Sequence, residues 1–132
     1  MPDISQFGYT VQTTKSVEEA VEAVDAALKE RKFSVLWHLD MREKLEEKGI
    51  SGGPEFRVLE VCSAPRAKQA LDTKLEVGYF LPCKMVVYRK DDATHIGILK
   101  PTLLMSLIPG AGLDELAHEV EQILIEAAEA AR

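Results

Sequence analysis

Two helical stripes bracket this chain, and most of what lies between them follows the two-residue repeat of extended strands. Val17, Ala20, Val21, Val24, Ala27 and Leu28 recur at helical spacing, and so do Leu113, Leu116, Val120, Ile123, Leu124 and Ala127. Each stripe is an apolar helix face that must be buried against another element. Ser16 opens the first helix, and Glu19 stands three residues on. That spacing predicts a capping box, in which each side chain satisfies the other residue's free backbone N–H. Glu18, Glu22 and Asp25 lie off the stripe, towards solvent. Arg132 stands at the negative end of the second, longer helix.

Between and before these helices the apolar residues alternate. Phe7 to Thr13 reads as a strand with Phe7, Tyr9 and Val11 on one face, and Phe33 to Leu39 as a second with Val35, Trp37 and Leu39 on one face and Ser34, Leu36 and His38 on the other. Asp40 and Glu43 repeat the capping spacing and predict a short helix ending near Gly49, followed by the loop Ile50-Ser51-Gly52-Gly53-Pro54. Phe56 to Cys62 is a third strand. A short helix starts at Ser63 or Ala64, with Pro65 in its first turn, where the missing N–H costs nothing. Leu75 to Leu81 fits neither period. Cys83 to Arg89 and Thr94 to Leu99 form a hairpin across Asp91-Asp92, a turn without the usual glycine. Hairpins and short connections predict a single α+β domain over residues 1–132. Its sheet is mostly antiparallel, of about five strands, with helices on one face and a long C-terminal helix.

The net charge of −6 disfavours broad contact with nucleic acid phosphates or anionic membranes, and no dense Lys/Arg cluster offsets it. The first residues, MPDISQFGYT, carry neither a basic start nor an apolar run, and no apolar stretch approaches the length of a spanning helix. A cytoplasmic protein with reduced thiols is expected, with no nucleic acid and no membrane partner.

Cys62 and Cys83 are the residues with most chemical potential. Each stands where a strand meets an irregular segment, and each has a proline nearby, in Cys62-Ser63-Ala64-Pro65 and Leu81-Pro82-Cys83. A thiol at a strand end can reach a cleft. The segment after Cys62 starts a helix, whose positive end lowers the pKa of a nearby thiol. The competing reading is two small buried hydrophobes, a common fate of free cysteine. Two cysteines with no CxxC spacing make no complete metal site, so no metal is expected, and no cofactor is indicated. His38, His95 and His118 share no ligand spacing. His38, at a strand end, is the best placed to approach the cysteines. Pro109-Gly110-Ala111-Gly112 lacks the Lys-Ser/Thr of a phosphate loop and reads as a helix-entry turn. The acidic residues mark solvated helix faces. Thr102 to Ile108 is too apolar for an exposed loop. It packs in the core, covers a pocket or meets a second subunit.

Several segments carry a family resemblance. They are Phe7-Gly8-Tyr9, Phe33-Ser34-Val35-Leu36, Phe56-Arg57-Val58-Leu59, Cys62 to Ala67, and above all Leu81-Pro82-Cys83-Lys84-Met85-Val86-Val87-Tyr88. Through them the chain resembles, over nearly its whole length, the bacterial and archaeal domain of unknown function 302 family. The resemblance implies a small curved antiparallel sheet packed under helices, similar in plan to the TATA-binding-protein-like fold, often as a homodimer, and no established activity. The family's recurrent cysteines match Cys62 and Cys83. Its pattern has Asn after each, where this chain has Ser63 and Lys84.

The expected function is therefore binding or sensing of a small ligand in a cleft near Cys62, Pro65, Cys83, Lys100 and His38, with Lys100 available to an anionic group. The alternatives are a thiol-dependent or redox enzyme using Cys62 or Cys83, and a structural homodimer module without a ligand.

Overall fold

A computed structural model describes residues 3–132. After a 3-10 turn at Ile4–Gln6, the element order is β1 (Gly8–Thr13), α1 (Val17–Glu30), β2 (Ser34–Asp40), α2 (Met41–Glu47), β3 (Phe56–Cys62) and α3 (Ala64–Thr73). A 3-10 segment, Leu75–Phe80, leads to β4 (Cys83–Lys90), β5 (Ala93–Leu99), α4 (Pro101–Met105) and α5 (Asp114–Ala131). The five strands form one antiparallel sheet in the order β1-β5-β4-β3-β2. The single-domain α+β reading is thus the observed architecture. β3, β4 and β5 are a contiguous meander, and β1 and β2 are its two edges. α1, which joins them, crosses the breadth of the sheet on one face.

The core lies between that face and the two long helices. Leu59 and Val61 of β3, Met85 and Val87 of β4, and Ile96 and Ile98 of β5 alternate inward. Val17, Ala20, Val24 and Leu28 of α1, with Val120, Leu124, Ala127 and Ala128 of α5, close over them. The small alanines let the two helices approach each other closely above the sheet. The capping box forms as the spacing predicts: Glu19 N–H donates to Ser16 Oγ at 3.1 Å, and Ser16 N–H donates to Glu19 Oε1 at 3.0 Å. At α2 only half of the arrangement appears, with Glu43 N–H donating to Asp40.

Two local features depart from simple pattern reading. Asp91 and Asp92 both take left-handed backbone angles, φ 52° and 61°, so the β4–β5 turn has the twist of a two-residue hairpin without glycine. Aspartate tolerates that region better than most residues. A bulge between Val35 and Trp37 shifts the register of β2. Val35 pairs with Val61 on the helix side, whereas Trp37 pairs with Glu60 and falls on the opposite, open face. The expectation that Val35, Trp37 and Leu39 share one face is corrected by this one extra residue, which inverts the side-chain alternation beyond it.

The open face carries a row of rings across three strands. Phe56 stacks on Tyr88 at 5.1 Å, and Tyr88 on His95 at 5.0 Å, with nearly parallel planes in both pairs. The register makes these direct cross-strand neighbours.

A second, smaller apolar cluster sits off one end of the sheet. Ala70, Val77, Met105, Leu113 and Ala117 form it, from α3, the 3-10 segment, α4, and the start of α5 with the loop before it.

Candidate functional site

The two apolar clusters do not fuse. Between them is a cavity of about 80 Å³, lined from the main core by Phe33, Val61 and Val120, and from the smaller cluster by Ala70, Val77, Met105, Leu113 and Ala117. At the liquid volume of about 30 Å³ per water, that space equals two to three water molecules. It lies at the end of the sheet where β3 finishes and β4 begins, and both Cys62 and Cys83 line it.

The register explains why the thiols meet there. β3 ends at Cys62, β4 starts at Cys83, and the strands are antiparallel neighbours, with Cys83 paired to Val61. Two residues far apart along the chain are thereby carried to one sheet end. Their positions have opposite parity, however. Cys83 shares the face of Val61, and Cys62, the next residue, has its Cβ towards the other face. A disulfide needs Cβ atoms that converge, and both cysteines are free.

Neither thiol is activated. Burial pushes the Cys62 thiol up. For Cys83, burial first, then the charges of Cys62 and Glu60, push it up to about 11. The α3 N-terminus, expected to lower a nearby thiol, does not prevail over this desolvation.

The polar groups of the lining are few. Ser63 is buried, and its Oγ lies 3.4 Å from Arg66 Nη1. Arg66, in the first turn of α3, also donates from Nη2 and Nε to Glu119 Oε1 at 2.6 and 3.3 Å, and its guanidinium carbon lies 5.7 Å from the centre of the Phe33 ring. Lys84 is the second cation of the lining, 3.6 Å from Glu60. Arg66, Phe33 and Lys84 lie in segments that carry the family resemblance but are not among the expected site residues. The available signal was adjacency: Arg66 follows Cys62 by one helical turn, and Lys84 follows Cys83 directly.

Three expected site residues lie elsewhere. Pro65 is exposed in the first turn of α3 and is not part of the lining. Lys100 precedes α4, but its Nζ donates to the Ser5 carbonyl at 2.7 Å, and its neighbour Pro101 lines the cavity instead. His38 sits beyond the bulge, level with Leu59 rather than with the cysteines. Its Nε2 is 3.3 Å from Arg57 Nη1, and Arg57 Nε is 3.3 Å from Asp40 Oδ2. Burial, then the Arg57 charge, hold the His38 pKa below its usual value. Among the described residues no group of three or more His, Cys, Asp or Glu side chains is placed to hold a metal ion. No described helix is long and apolar enough to cross a membrane.

Thr102 to Ile108 covers the cavity in part. Leu104 and Met105 of α4 face into it, and Leu103 and Leu107 are exposed beside it. One end of this cover is pinned: Glu121 Oε1 of α5 accepts from Thr102 N–H at 3.1 Å and from Thr102 Oγ1 at 2.7 Å. In the 3-10 segment, Val77 and Phe80 line the cavity while Leu75 and Tyr79 stand exposed.

Comparison with known proteins agrees with the fold. Residues 9–131 match the family described as "Domain of unknown function DUF302". A solved structure titled "Crystal structure of uncharacterized conserved protein DUF302 from Bacillus stearothermophilus" superposes with a TM-score of 0.91 at 39% identity, covering 96% of this chain and 98% of that one. No curated protein matches. The chain belongs to the DUF302 family.

Proposed function

We propose that this DUF302 domain binds or senses a small, mostly apolar ligand in the cavity beside Cys62 and Cys83. One observation carries the reading: the cavity lies on a seam between two apolar clusters and is roofed by a short helix pinned at one end. Protein interiors are close-packed, so a solvent-reachable apolar void of this size is a reason to look for an occupant. The thiols favour binding over catalysis. A nucleophilic cysteine needs a lowered pKa or a base within reach. Here both thiols are raised, and the residues lining the cavity include no His, Asp or Glu. The cysteines then act as compact, polarisable wall groups. Two free thiols also suit a reducing compartment, which supports a cytoplasmic location.

The test is xenon-129 magnetic resonance, with xenon as a neutral probe small enough for the cavity. The full chain should shift the xenon resonance through one site per chain. Ala117→Phe and Ala70→Leu, which fill the cavity from two walls, should abolish that shift while circular dichroism stays native. No site-specific shift, or an unchanged one in folded cavity-filled variants, defeats the reading.

A second reading has its own support. The open sheet face carries the Phe56–Tyr88–His95 stack and, further along, the exposed Trp37 opposite Glu60, and its Lys84 and Glu60 lie close enough to pair with each other. Such a face, apolar with little unbalanced charge, suits a second copy of the chain, and homodimerisation through it is the alternative role. Light scattering decides: a monomer at all working concentrations, or a dimer unaffected by Trp37→Lys, excludes this face as the interface.

A further inference from the structure

The cavity's single guanidinium points to the chemistry of the ligand. Arg66 meets the lining beside Phe33 and Ser63, in an otherwise apolar wall. An arginine there is costly unless its planar donors are used, and the group they fit best is a carboxylate. Glu119 now accepts from it, through one oxygen only. Glu119 is more than half exposed, and it belongs to α5 next to Val120, which lines the cavity. An ion pair with so exposed a partner is worth at most about 1 kcal/mol. A carboxylate presented from inside the cavity, with its tail desolvated, competes well against it.

Resting on the cavity reading above, we infer that the ligand class is a carboxylate-headed amphiphile: its apolar tail fills the seam and its head displaces Glu119 from Arg66. The cavity, about half the ~150 Å³ that holds a six-carbon ring, takes three or four carbons of an unbranched tail, and the rest lies in its open mouth. Lys84, the other cation, lies on a strand position facing the open side, 3.6 Å from Glu60, and does not compete for the head. The thiols on the wall meet only the tail.

Calorimetry with the full chain at low salt tests the assignment, using octanoate against the equally long neutral 1-octanol. Octanoate should bind at least ten-fold more tightly than octanol. Arg66→Gln should bring the two affinities together. Glu119→Gln, which removes the competing carboxylate at the surface, should strengthen octanoate about three-fold and leave octanol unchanged. Because Glu119 is exposed, that variant keeps the test valid even if Arg66→Gln fails to fold. Octanol binding as tightly as octanoate, or a preference that Glu119→Gln leaves unchanged, overturns the assignment. If the neutral probe binds while octanoate shows no advantage, the head-group assignment alone is wrong. If neither binds, the cavity reading falls with it.

Discussion

Alkaline pH should destabilise this protein through one identifiable thiol. Cys83 opens β4 against the core, and its thiol is pushed from an ordinary 9.0 up to about 11, chiefly by burial. Below 9.0 the folded and unfolded chains both keep the proton, and the stability that goes with it is fully present. Between 9.0 and about 11 the unfolded chain releases the proton and the folded chain holds it, so stability falls as pH rises. The loss works out to about 2 kcal/mol by pH 10.5 and levels off at about 3 kcal/mol above the folded value. Tyrosines and lysines titrate in the same range, so the informative quantity is a difference. Urea unfolding of the parent and of Cys83→Ala at pH 8 and pH 10.5 should show the gap between them moving by about 2 kcal/mol against the parent. The same burial sets reactivity. At pH 8 the thiolate fraction of Cys83 is about a hundredfold below that of an ordinary thiol; a higher-pKa thiolate is the better nucleophile, so ionisation alone should slow iodoacetamide about tenfold, and burial slows it further. If the two proteins lose stability in parallel, or if alkylation of Cys83 has its midpoint at or below 9, the thiol is not held protonated by its surroundings. The nucleophile reading then returns.

Other expectations are simpler to state. Ser16→Ala removes one arm of the reciprocal cap on α1 and should cost about 1 kcal/mol in denaturant unfolding, whereas Ser16→Asp should retain most of it. Replacing Asp91-Asp92 by Asn-Gly relieves two left-handed residues in the β4–β5 turn and should raise the melting temperature by about 4 °C. Glu121→Ala unpins the first turn of α4, so amide exchange across Thr102–Leu107 should accelerate about ten-fold while α1 and the central strands keep their protection.

The strands were legible in the sequence because their inner residues alternate: Leu59 and Val61, Met85 and Val87, Ile96 and Ile98 all mark the face that α1 and α5 cover. The long helices were legible for the matching reason at the other period. The bulge in β2 was not. It depends on how Val35 and Trp37 register against β3, which no local pattern encodes, and it turns His38 to the face of Arg57; the antiparallel register, with Ser34 opposite Cys62, is what keeps His38 from the thiols. The juxtaposition of Cys62 and Cys83 was readable from topology, since an antiparallel neighbour begins where the preceding strand ends. The rest of the cavity wall was not, because Val77, Met105, Leu113 and Ala117 come together only through tertiary packing. Lys100 shows a finer limit. Its backbone stands beside the cavity wall, but its long side chain turns to the Ser5 carbonyl, a choice made by a contact 95 residues away.

The arrangement in which β1 and β2 flank the meander while α1 joins them has a consequence for biosynthesis. Translation delivers the clasp before the object it clasps. When residue 40 leaves the ribosome, the first strand still lacks its partner, which ends at Leu99, and the second lacks β3. The opening third of the polypeptide therefore waits, with α1 formed and its apolar stripe uncovered, until most of the message has been read. A nascent chain of this kind has its period of greatest vulnerability early, and its sheet grows from the β2 margin, with the β1 margin closed last.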